Sequence, residues 1–296
     1  MRIAVGLMAY NEAANVAASL RSILDQQGAR ASPLSVVVVA SGCTDDTVAR
    51  AWEESAGDPR VRILVQPVRE GKAAAVTAFL HAREAEDAEV LVLAGADTRL
   101  DPGSLDALLA PFEDPSVGMT GGRPVPVNDP GTLMGGVVRL LWELHDEVAR
   151  RAPKLGELVA FRPVVDALPA DTAVDEASLE SLIRAKGLSL AYAPDAVVRM
   201  KGPTTAGEFL AQRRRIHAGH LRLRRQAGYA VATLSPRAAL AAVGRLRRRA
   251  VVRPGAFAAA VGLEAWARAL GAWDARFSGR DHRAWAPIPS TKDLTR

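Results

Sequence analysis

Several side chains in this sequence are of types that can bind an anion, hold a metal ion or move a proton. Four polar stretches contain most of them: Tyr10-Asn11-Glu12, Ser41-Gly42-Cys43-Thr44-Asp45, Glu70-Gly71-Lys72 and Asp97-Thr98. Two adjacent carboxylates follow at Asp175 and Glu176, and carboxylates commonly act as general acids and bases. Gln212 and Arg215 come later in the chain, and a guanidinium can hold a phosphate group through two parallel hydrogen bonds.

Predicted secondary structure places the four stretches at the ends of strands. Apolar runs predict strands over 3–8, 35–40, 61–65 and 90–94. Helices are predicted between them: from an Asn11 cap to Gly28, from Thr44-Asp45 onward, and over 72–84. This alternation predicts an α/β fold with a mixed, mainly parallel sheet flanked by helices. Ligands bind outside the carboxyl ends of strands in such sheets, so the polar stretches are expected to meet.

The second half of the chain has a less regular pattern. Extended chain is predicted over 117–127, strands over 158–161 and 188–192, and helices over 133–148 and 176–186. From about residue 205 only helices are predicted, interrupted near Pro236 and Pro254. The sequence therefore predicts an α/β domain over 1–204 and a basic helical C-terminal appendage over 205–296, docked on that domain.

Composition and charge limit the possible functions. The 296 residues are 49% hydrophobic and 24% charged, which is ordinary for a globular protein and excludes a disordered or collagen-like chain. One cysteine, Cys43, excludes an internal disulfide and a cysteine-based zinc cluster. Apolar runs fall short of the roughly 18 residues that a membrane span needs, so a cytoplasmic protein is expected.

The charge is distributed very unevenly along the chain. Residues 1–150 carry 13 Lys and Arg against 21 Asp and Glu, a net charge of −8, whereas residues 151–296 carry 25 against 12, a net charge of +13. Between Glu208 and Glu264 there are twelve arginines and no acidic residue. Such a block predicts an anionic partner: nucleic acid, an acidic membrane surface or a phosphorylated ligand.

Six segments, in order, resemble the motifs of family-2 glycosyltransferases. They are VGLMAYNE at 5–12, VVVASGCTDDT at 37–47, EGKAAA at 70–75, LVLAGAD at 91–97, VDEASL at 174–179 and QRRRI at 212–216. The first four resemble the nucleotide-binding half of the family, VDEASL its acidic acceptor-site motif, and QRRRI the QxxRW motif of membrane-linked members. Six matches in order, over roughly 3–220, are far more specific than any single one.

This resemblance implies a GT-A fold, a nucleoside-diphosphate sugar donor, a divalent cation (Mg²⁺ or Mn²⁺) and inverting transfer to an acceptor hydroxyl. The nucleotide-binding half would be 1–114 and the acceptor half 115–204. Asp97 matches the metal-binding aspartate of the DxD motif, against the alternative of a helix cap or loop carboxylate, and Gly95 replaces the first acid. Such ions often use few protein ligands, so a single carboxylate is compatible with metal binding.

The remaining donor contacts are also implied by the resemblance. Residues assigned to the nucleotide or its diphosphate are Tyr10, Asn11, Glu12, Ser41, Lys72, Ala96, Asp97, Gln212 and Arg215. Ser41 and Ala40 stand where the family has paired acids, which leaves the base undefined. Ordinary structural roles remain open: Glu12 as a first-turn helix acid, Lys72 as a solvated side chain, and Arg215 on a solvated helix face in a motif whose tryptophan is replaced by Ile216.

In the acceptor motif the family order Glu-Asp is reversed. Aligning on Leu179 places Glu176 at the position of the catalytic base, with Asp175 as the alternative. A base there would take the proton of the acceptor hydroxyl.

An apolar stripe near the end of the chain has two interpretations. Its members recur at spacings of three and four: Leu263, Trp266, Leu270, Trp273 and Phe277. The stripe either packs against the catalytic domain or lies at the headgroups of a membrane, beside the basic block 245–253. The second interpretation predicts peripheral association with the inner face of the cell membrane, an anionic membrane surface as partner, and a lipid-linked or otherwise hydrophobic acceptor.

Three functions other than a glycosyltransferase have some support in the sequence. A sugar nucleotidyltransferase would have a Gly-rich basic loop after the first strand, where this chain has Tyr10-Asn11-Glu12. A non-enzymatic protein that binds nucleic acid or another anion could use the arginine block, but few aromatic residues interleave with it and the first half is acidic, so no nucleic-acid partner is expected. An inactive transferase is disfavoured because Asp97 and the acidic pair are retained.

Overall fold

The computed structural model of the chain describes residues 1–28, 30, 34–248, 253–277, 288–292 and 294. Eight strands form one sheet: β1 (Ile3–Ala9), β2 (Leu34–Ser41), β3 (Val61–Gln66), β4 (Val90–Gly95), β5 (Thr98–Leu100), β6 (Val117–Pro126), β7 (Leu158–Phe161) and β8 (Ser189–Met200). Their order across the sheet is β3-β2-β1-β4-β7-β6-β8-β5.

The sheet is mixed, as the sequence predicts. Strands β1 to β4 are parallel, and β6 is parallel to β8. The pairs β4–β7, β6–β7 and β5–β8 are antiparallel. Because β1 to β4 are parallel, the polar stretches that follow β1, β2 and β4 emerge at the same edge of the sheet.

Helices cover the sheet and continue beyond it. They are α1 (Val16–Leu24), α2 (Thr47–Glu54), α3 (Lys72–Leu80), α4 (Arg83–Glu86), α5 (Ser104–Leu109), α6 (Leu133–Ala149), α7 (Asp175–Ala185), α8 (Ala206–Ala227), α9 (Pro236–Arg248) and α10 (Pro254–Phe277). The breaks near Pro236 and Pro254 are confirmed. Helix α10 packs along α8 and against α6, and α9 packs against α6, so the helical region is docked on the α/β domain.

Some predicted boundaries are wrong. Helix α1 begins after Asn15 rather than Asn11, and it ends before Gly28. Asn11 has a left-handed backbone (φ 51°), which is incompatible with a helix entry at that residue. The last strand runs on to Met200, past Pro194 and Asp195, because its pairing with β6 is interrupted and then resumes.

Buried valines of β2 explain why its sequence is a continuous apolar run. Val36 and Val38 belong to the core on one face of the sheet, whereas Val37 and Val39 belong to the core on the other. All four are fully buried. A strand covered by helices on both faces has no polar alternation, which is what the pattern predicts.

Three of the arginines between Glu208 and Glu264 form ion pairs within the protein. Arg213 donates two hydrogen bonds to Glu264 at 2.8 and 2.9 Å, and Arg214 donates two to Asp274 at 2.6 Å each. These pairs join α8 to α10. Arg245 likewise donates to Glu147, at 2.8 Å, and joins α9 to α6. The expectation that the block as a whole faces an anionic partner is therefore wrong for these three residues; residues 249–252 of the block lie outside the described part.

Candidate active site

A cavity of about 690 Å³ opens at the carboxyl ends of β1, β2 and β4 and extends to the start of α7 and to α8. Most side chains that the sequence predicts for the site line it. They are Tyr10, Glu12, Ser41, Lys72, Asp97, Asp175, Glu176, Gln212 and Arg215. The fold thus collects predicted donor-site and acceptor-site residues in one place.

Two predicted binding residues, Asn11 and Ala96, do not line this cavity. The Asn11 side chain accepts a hydrogen bond from the Thr44 backbone N–H at 2.9 Å and joins two loops of the sheet edge. Ala96 is 1% exposed in the hydrophobic core, and its carbonyl accepts from Ser19 Oγ at 2.7 Å. Both residues therefore hold loops of the sheet edge in place through hydrogen bonds.

Ser41 offers an unsatisfied hydroxyl to the cavity. It ends β2, and its Oγ is buried with no hydrogen-bond partner in the part of the chain that the structure describes. Leaving a buried hydroxyl unpaired costs about 1–3 kcal/mol. A ligand with a complementary polar atom would recover that cost.

Asp97 lies just beyond β4, with its carboxylate folded over Gly95. A Cβ built at Gly95 would clash with Oδ1 of Asp97, so the single acid occupies the space where a side chain at position 95 would stand. The described residues contain no group of three His, Cys, Asp or Glu side chains arranged to hold a metal ion. Asp97 fits a cation that takes its other ligands from phosphate oxygens and water, as Mg²⁺ and Mn²⁺ do.

Glu157 is not among the site residues predicted from the sequence, yet it lines the cavity beside them. Its backbone is left-handed, with φ of 61°, which is uncommon for a residue other than glycine and costs on the order of 1 kcal/mol. Burial and the charges of Asp97 and Glu176 raise the pKa of Glu157 to about 7. An acid placed directly before a buried strand was the available signal.

Lys72 and Glu176 form an ion pair inside the cavity. The ammonium at the start of α3 lies 2.5 Å from Oε1 of Glu176 in the first turn of α7. Burial acts to raise the pKa of Glu176, but the charge and hydrogen bond of Lys72 outweigh it and lower this pKa to about 2. Conversely, burial opposes the charged lysine, yet Glu176 and Asp175 hold its pKa above the ordinary value. Lys72 therefore favours the ionised form of Glu176.

The neighbouring Asp175 is in a different state. It is 5% exposed, and its Oδ1 has no hydrogen-bond partner among the described residues. Burial raises the pKa of Asp175 to about 6, with Lys72 opposing and Glu176 adding to the rise. Its carboxylate is therefore the more basic of the two and has an oxygen free to accept a proton.

Arg215 brings a half-buried cation to the same carboxylates. Its Nη1 donates to the carbonyl of Ala173 at 2.9 Å, two residues before Asp175, which fixes α8 to the segment that leads into α7. Burial lowers the pKa of Arg215 to about 10, while the charges of Asp175 and Glu176 act to raise it. Gln212, one turn earlier in α8, also lines the cavity.

The cavity continues into an apolar arm between the helices. We use this name for the part lined by side chains of α6, α8, α9 and α10: Val138, Leu141, Leu144, Phe209, Val243, Phe257 and Val261. Val261 lines the cavity and is also 54% exposed, so the arm reaches the surface along α10.

Helix α10 buries several small residues and exposes three aromatic ones. Ala260, Ala267 and Gly271 face the protein, whereas Trp266, Trp273 and Phe277 are at least 60% exposed. The rings of Trp273 and Phe277 lie 4.7 Å apart. We call these three exposed side chains the aromatic face. The interpretation that the stripe packs against the catalytic domain is wrong for its aromatic members; Leu263 and Leu270 are half-buried.

The cavity lies at the carboxyl ends of parallel strands, which is where α/β proteins bind their ligands. The model of glycosyl transferase family 2 matches residues 4–168, more than half of the chain. The chain therefore belongs to glycosyl transferase family 2, and it is a glycosyltransferase. The comparison with curated proteins finds no match.

Solved structures confirm the GT-A fold. The mannosyltransferase PcManGT from Pyrobaculum calidifontis, in complex with GDP-Man and Mn²⁺, is 22% identical over 94% of this chain and 88% of that chain, with a TM-score of 0.65. Glucosyl-3-phosphoglycerate synthase from Mycobacterium tuberculosis, in complex with Mn²⁺ and UDP-Glc, is 23% identical over 76% and 79%, with a TM-score of 0.53. Within the described residues, no helix has the length and apolar character needed to cross a membrane.

Proposed function

We propose that the protein is an inverting glycosyltransferase that moves a sugar from a nucleoside-diphosphate sugar to an acceptor hydroxyl. The observation that carries this proposal is that Asp97, a candidate metal ligand, and Asp175, a candidate base, line the same cavity. Inverting transfer needs charge neutralisation at the departing diphosphate and a carboxylate on the opposite side of the anomeric carbon. Family membership supports the reaction class.

The donor nucleotide is proposed to lie at the ends of β1 and β2. The unpaired hydroxyl of Ser41 is placed to bind the base, and Tyr10 carries the Arg69 guanidinium 3.8 Å above its ring centroid. Lys72 and Arg215 supply positive charge to the diphosphate from the side of the catalytic acids. The similar structures were solved with GDP-Man and with UDP-Glc, which supports a nucleotide-sugar donor and leaves the base to experiment.

Asp97 is the residue that would hold the divalent cation. When bound, such an ion neutralises the negative charge that develops on the departing diphosphate. Burial and the charge of Asp97 raise the pKa of Glu12 to about 7, with Lys292 opposing, so the charge of Asp97 acts on Glu12 within the cavity. A bound cation would offset this repulsion. The Mn²⁺ in both similar structures supports this assignment.

We assign the general base to Asp175 in preference to Glu176, the residue that the motif alignment favours. Glu176 is held by Lys72 and has a pKa of about 2, so it takes up a proton poorly at neutral pH. Asp175 has an unpaired oxygen and a pKa raised to about 6 by burial. A base works best when its pKa lies near the operating pH. Glu176 then serves to position Lys72.

The acceptor is proposed to be lipid-linked or otherwise hydrophobic. The apolar arm belongs to the same cavity as Asp175, so a chain lying in it could present its hydroxyl to the base. The arm reaches the surface at Val261 on α10, the helix that carries the aromatic face. Exposed tryptophans at a membrane surface sit among the headgroups, which supports peripheral association with an anionic membrane.

A thermal-shift panel tests the donor assignment. UDP-, GDP- and dTDP-sugars are each added at millimolar concentration, with and without Mn²⁺. Stabilisation follows RT ln(1+[L]/Kd), so the true donor raises Tm even when it binds weakly. No shift with any of them, combined with a shift on adding a nucleoside triphosphate, would favour a sugar nucleotidyltransferase. Proton NMR of the first product then reports whether the anomeric configuration is inverted.

A further inference from the structure

A segment near the end of the chain lies against the donor side of the cavity. We call residues 288–292 and 294 the strap. Ile288, Thr291 and Lys292 line the cavity together with Tyr10, Glu12 and Asp97, which come from the other end of the sequence. The family model ends at residue 168 and the motif resemblance near 220, so neither assigns a role to the strap.

Backbone and hydroxyl contacts hold the strap in place. The fully buried Asn15 donates from Nδ2 to the carbonyl of Lys292 at 2.9 Å and accepts from the N–H of Leu294 at 3.1 Å. Ser290 Oγ donates to Glu208 at 2.6 Å and accepts from the N–H of Thr204 at 3.1 Å. None of these four hydrogen bonds involves the ammonium of Lys292, so the position of the strap has independent support.

The ammonium of Lys292 enters the cavity between Tyr10 and Glu12. Its Nζ donates to the carbonyl of Tyr10 at 2.9 Å and to Oε1 of Glu12. Glu12 is 4% exposed, and its other oxygen accepts from Asn15 at 3.0 Å. An ammonium has three N–H donors. Described residues accept two of them, which leaves one donor available to a ligand.

The other cations on this part of the cavity wall are placed differently. Lys72 is paired with Glu176, and the Arg69 guanidinium stacks on the ring of Tyr10. Lys292 is also paired with a carboxylate, but its partner is Glu12, which lies within the electrostatic reach of Asp97. A nucleoside diphosphate brings at least two negative charges into this acidic surrounding. A fixed ammonium lowers the energy of placing them there.

We propose that Lys292 binds the diphosphate of the donor, and that the strap is therefore part of the donor site. This inference rests on the proposed function, because it takes a nucleoside-diphosphate sugar as the ligand. Lys292 donates its third N–H to a phosphate oxygen while keeping its bonds to Tyr10 and Glu12. The lysine adds positive charge to a site in which the protein supplies one metal-binding carboxylate.

Calorimetric titration of Lys292→Met with nucleotides tests the proposal. Loss of one charged hydrogen bond should weaken binding of the nucleoside diphosphate by about 10- to 100-fold. Binding of the corresponding nucleoside, which has no phosphate, should be unchanged. Lys292→Arg should recover most of the affinity for the diphosphate. Lys186→Met, at the exposed end of α7, is the matched control and should behave as the wild type.

Three outcomes overturn the proposal. Unchanged affinity of Lys292→Met for the nucleoside diphosphate would show that the ammonium does not touch it. Equal losses for nucleoside and diphosphate would show that the lysine only supports the strap. Ser290→Ala, which weakens the strap but keeps the ammonium, should be less affected than Lys292→Met, and the reverse order also contradicts the proposal. Absence of nucleotide binding by the wild type would instead overturn the proposed function itself.

Discussion

Two regions of the molecule use their polar side chains differently. One is the cavity at the carboxyl edge of the sheet, and the other is the group of helices α8 to α10. In the cavity at this edge, Ser41 at the end of β2 and Asp175 at the start of α7 have buried polar atoms with no partner among the described residues. In the helices, Arg213 and Arg214 each make two hydrogen bonds to an acid, while Trp266 is exposed. The cavity has polar atoms available to hydrogen-bond a ligand, whereas the arginines of the helices form ion pairs that hold the helices together. Net charge along the sequence therefore does not locate the anion-binding surface.

The largest expected effect is a loss of kcat on substitution of Asp175, in the cavity at the sheet edge. Asp175→Asn should lower kcat by about 10²- to 10⁴-fold, because an amide cannot take up the acceptor proton. Glu176→Gln should lose less, since its role is to hold Lys72. Steady-state kinetics with a fixed donor check both, and nucleotide affinity should be unchanged in Asp175→Asn. A larger loss in Glu176→Gln would return the base to Glu176.

The pH profile follows from the same assignment. Burial raises the pKa of Asp175 from its ordinary 3.8 to about 6, and only the deprotonated carboxylate acts as a base. Activity should therefore be full above this pKa and decline as the pH falls through about 6. A profile that stays flat down to pH 4, in a protein that remains folded, would contradict Asp175 as the base.

Asp97→Asn should remove the cation-dependent part of the activity. We expect a loss of about 10²-fold in kcat/KM, because the departing diphosphate loses the ion that neutralises it. Titration with Mn²⁺ after EDTA treatment measures the cation-dependent activity of the wild type and of Asp97→Asn. The same Mn²⁺ dependence in Asp97→Asn and in the wild type would place the cation elsewhere.

The helical region is expected to respond through stability rather than chemistry. Arg214→Met deprives the buried Asp274 of two hydrogen bonds and should lower the free energy of unfolding by about 3 kcal/mol. Urea denaturation measures the change. The exposed Arg237 is the matched control, and Arg237→Met should change stability by less than about 0.5 kcal/mol. Equal changes in the free energy of unfolding would mean that the ion pair of Arg214 does not stabilise the protein.

The smallest effect is expected at the aromatic face. The double variant Trp266→Ser, Trp273→Ser should bind anionic liposomes about 10-fold more weakly at low salt. Its turnover of a short water-soluble acceptor should not change. Trp52→Ser removes a side chain that is 57% exposed, close to the 60% of Trp266, but lies on α2, and it should leave liposome binding unaltered. Equal binding by all three proteins would show that the aromatic face does not meet the membrane.

Local patterns predicted most of the fold. Strand β7 has the predicted bounds, and β1 to β4 differ from theirs by a residue or so at either end, because buried strands give continuous apolar runs. The predicted start of α1 was less accurate, because Asn11 and Asn15 are both suitable residues before a helix. The hydrogen bond between Asn11 and Thr44 holds Asn11 in a loop, and this contact joins residues that are distant in the sequence. Prediction of the site was limited for the same reason. Ala96 is buried in the hydrophobic core and does not line the cavity, whereas Glu157, which has a left-handed backbone, does line it.

The sequence by itself determined the alternation of strands and helices in its first half, the family and the types of residue available for chemistry, because each is encoded in residue type and spacing along the chain. Only the tertiary structure decided which carboxylate is paired with Lys72, which side of α10 faces solvent, and that Lys292 reaches Glu12. These are properties of neighbours far apart in sequence. Burial and charge act through space, so the same Asp-Glu pair yields one fixed anion and one available base only after the chain has folded around it.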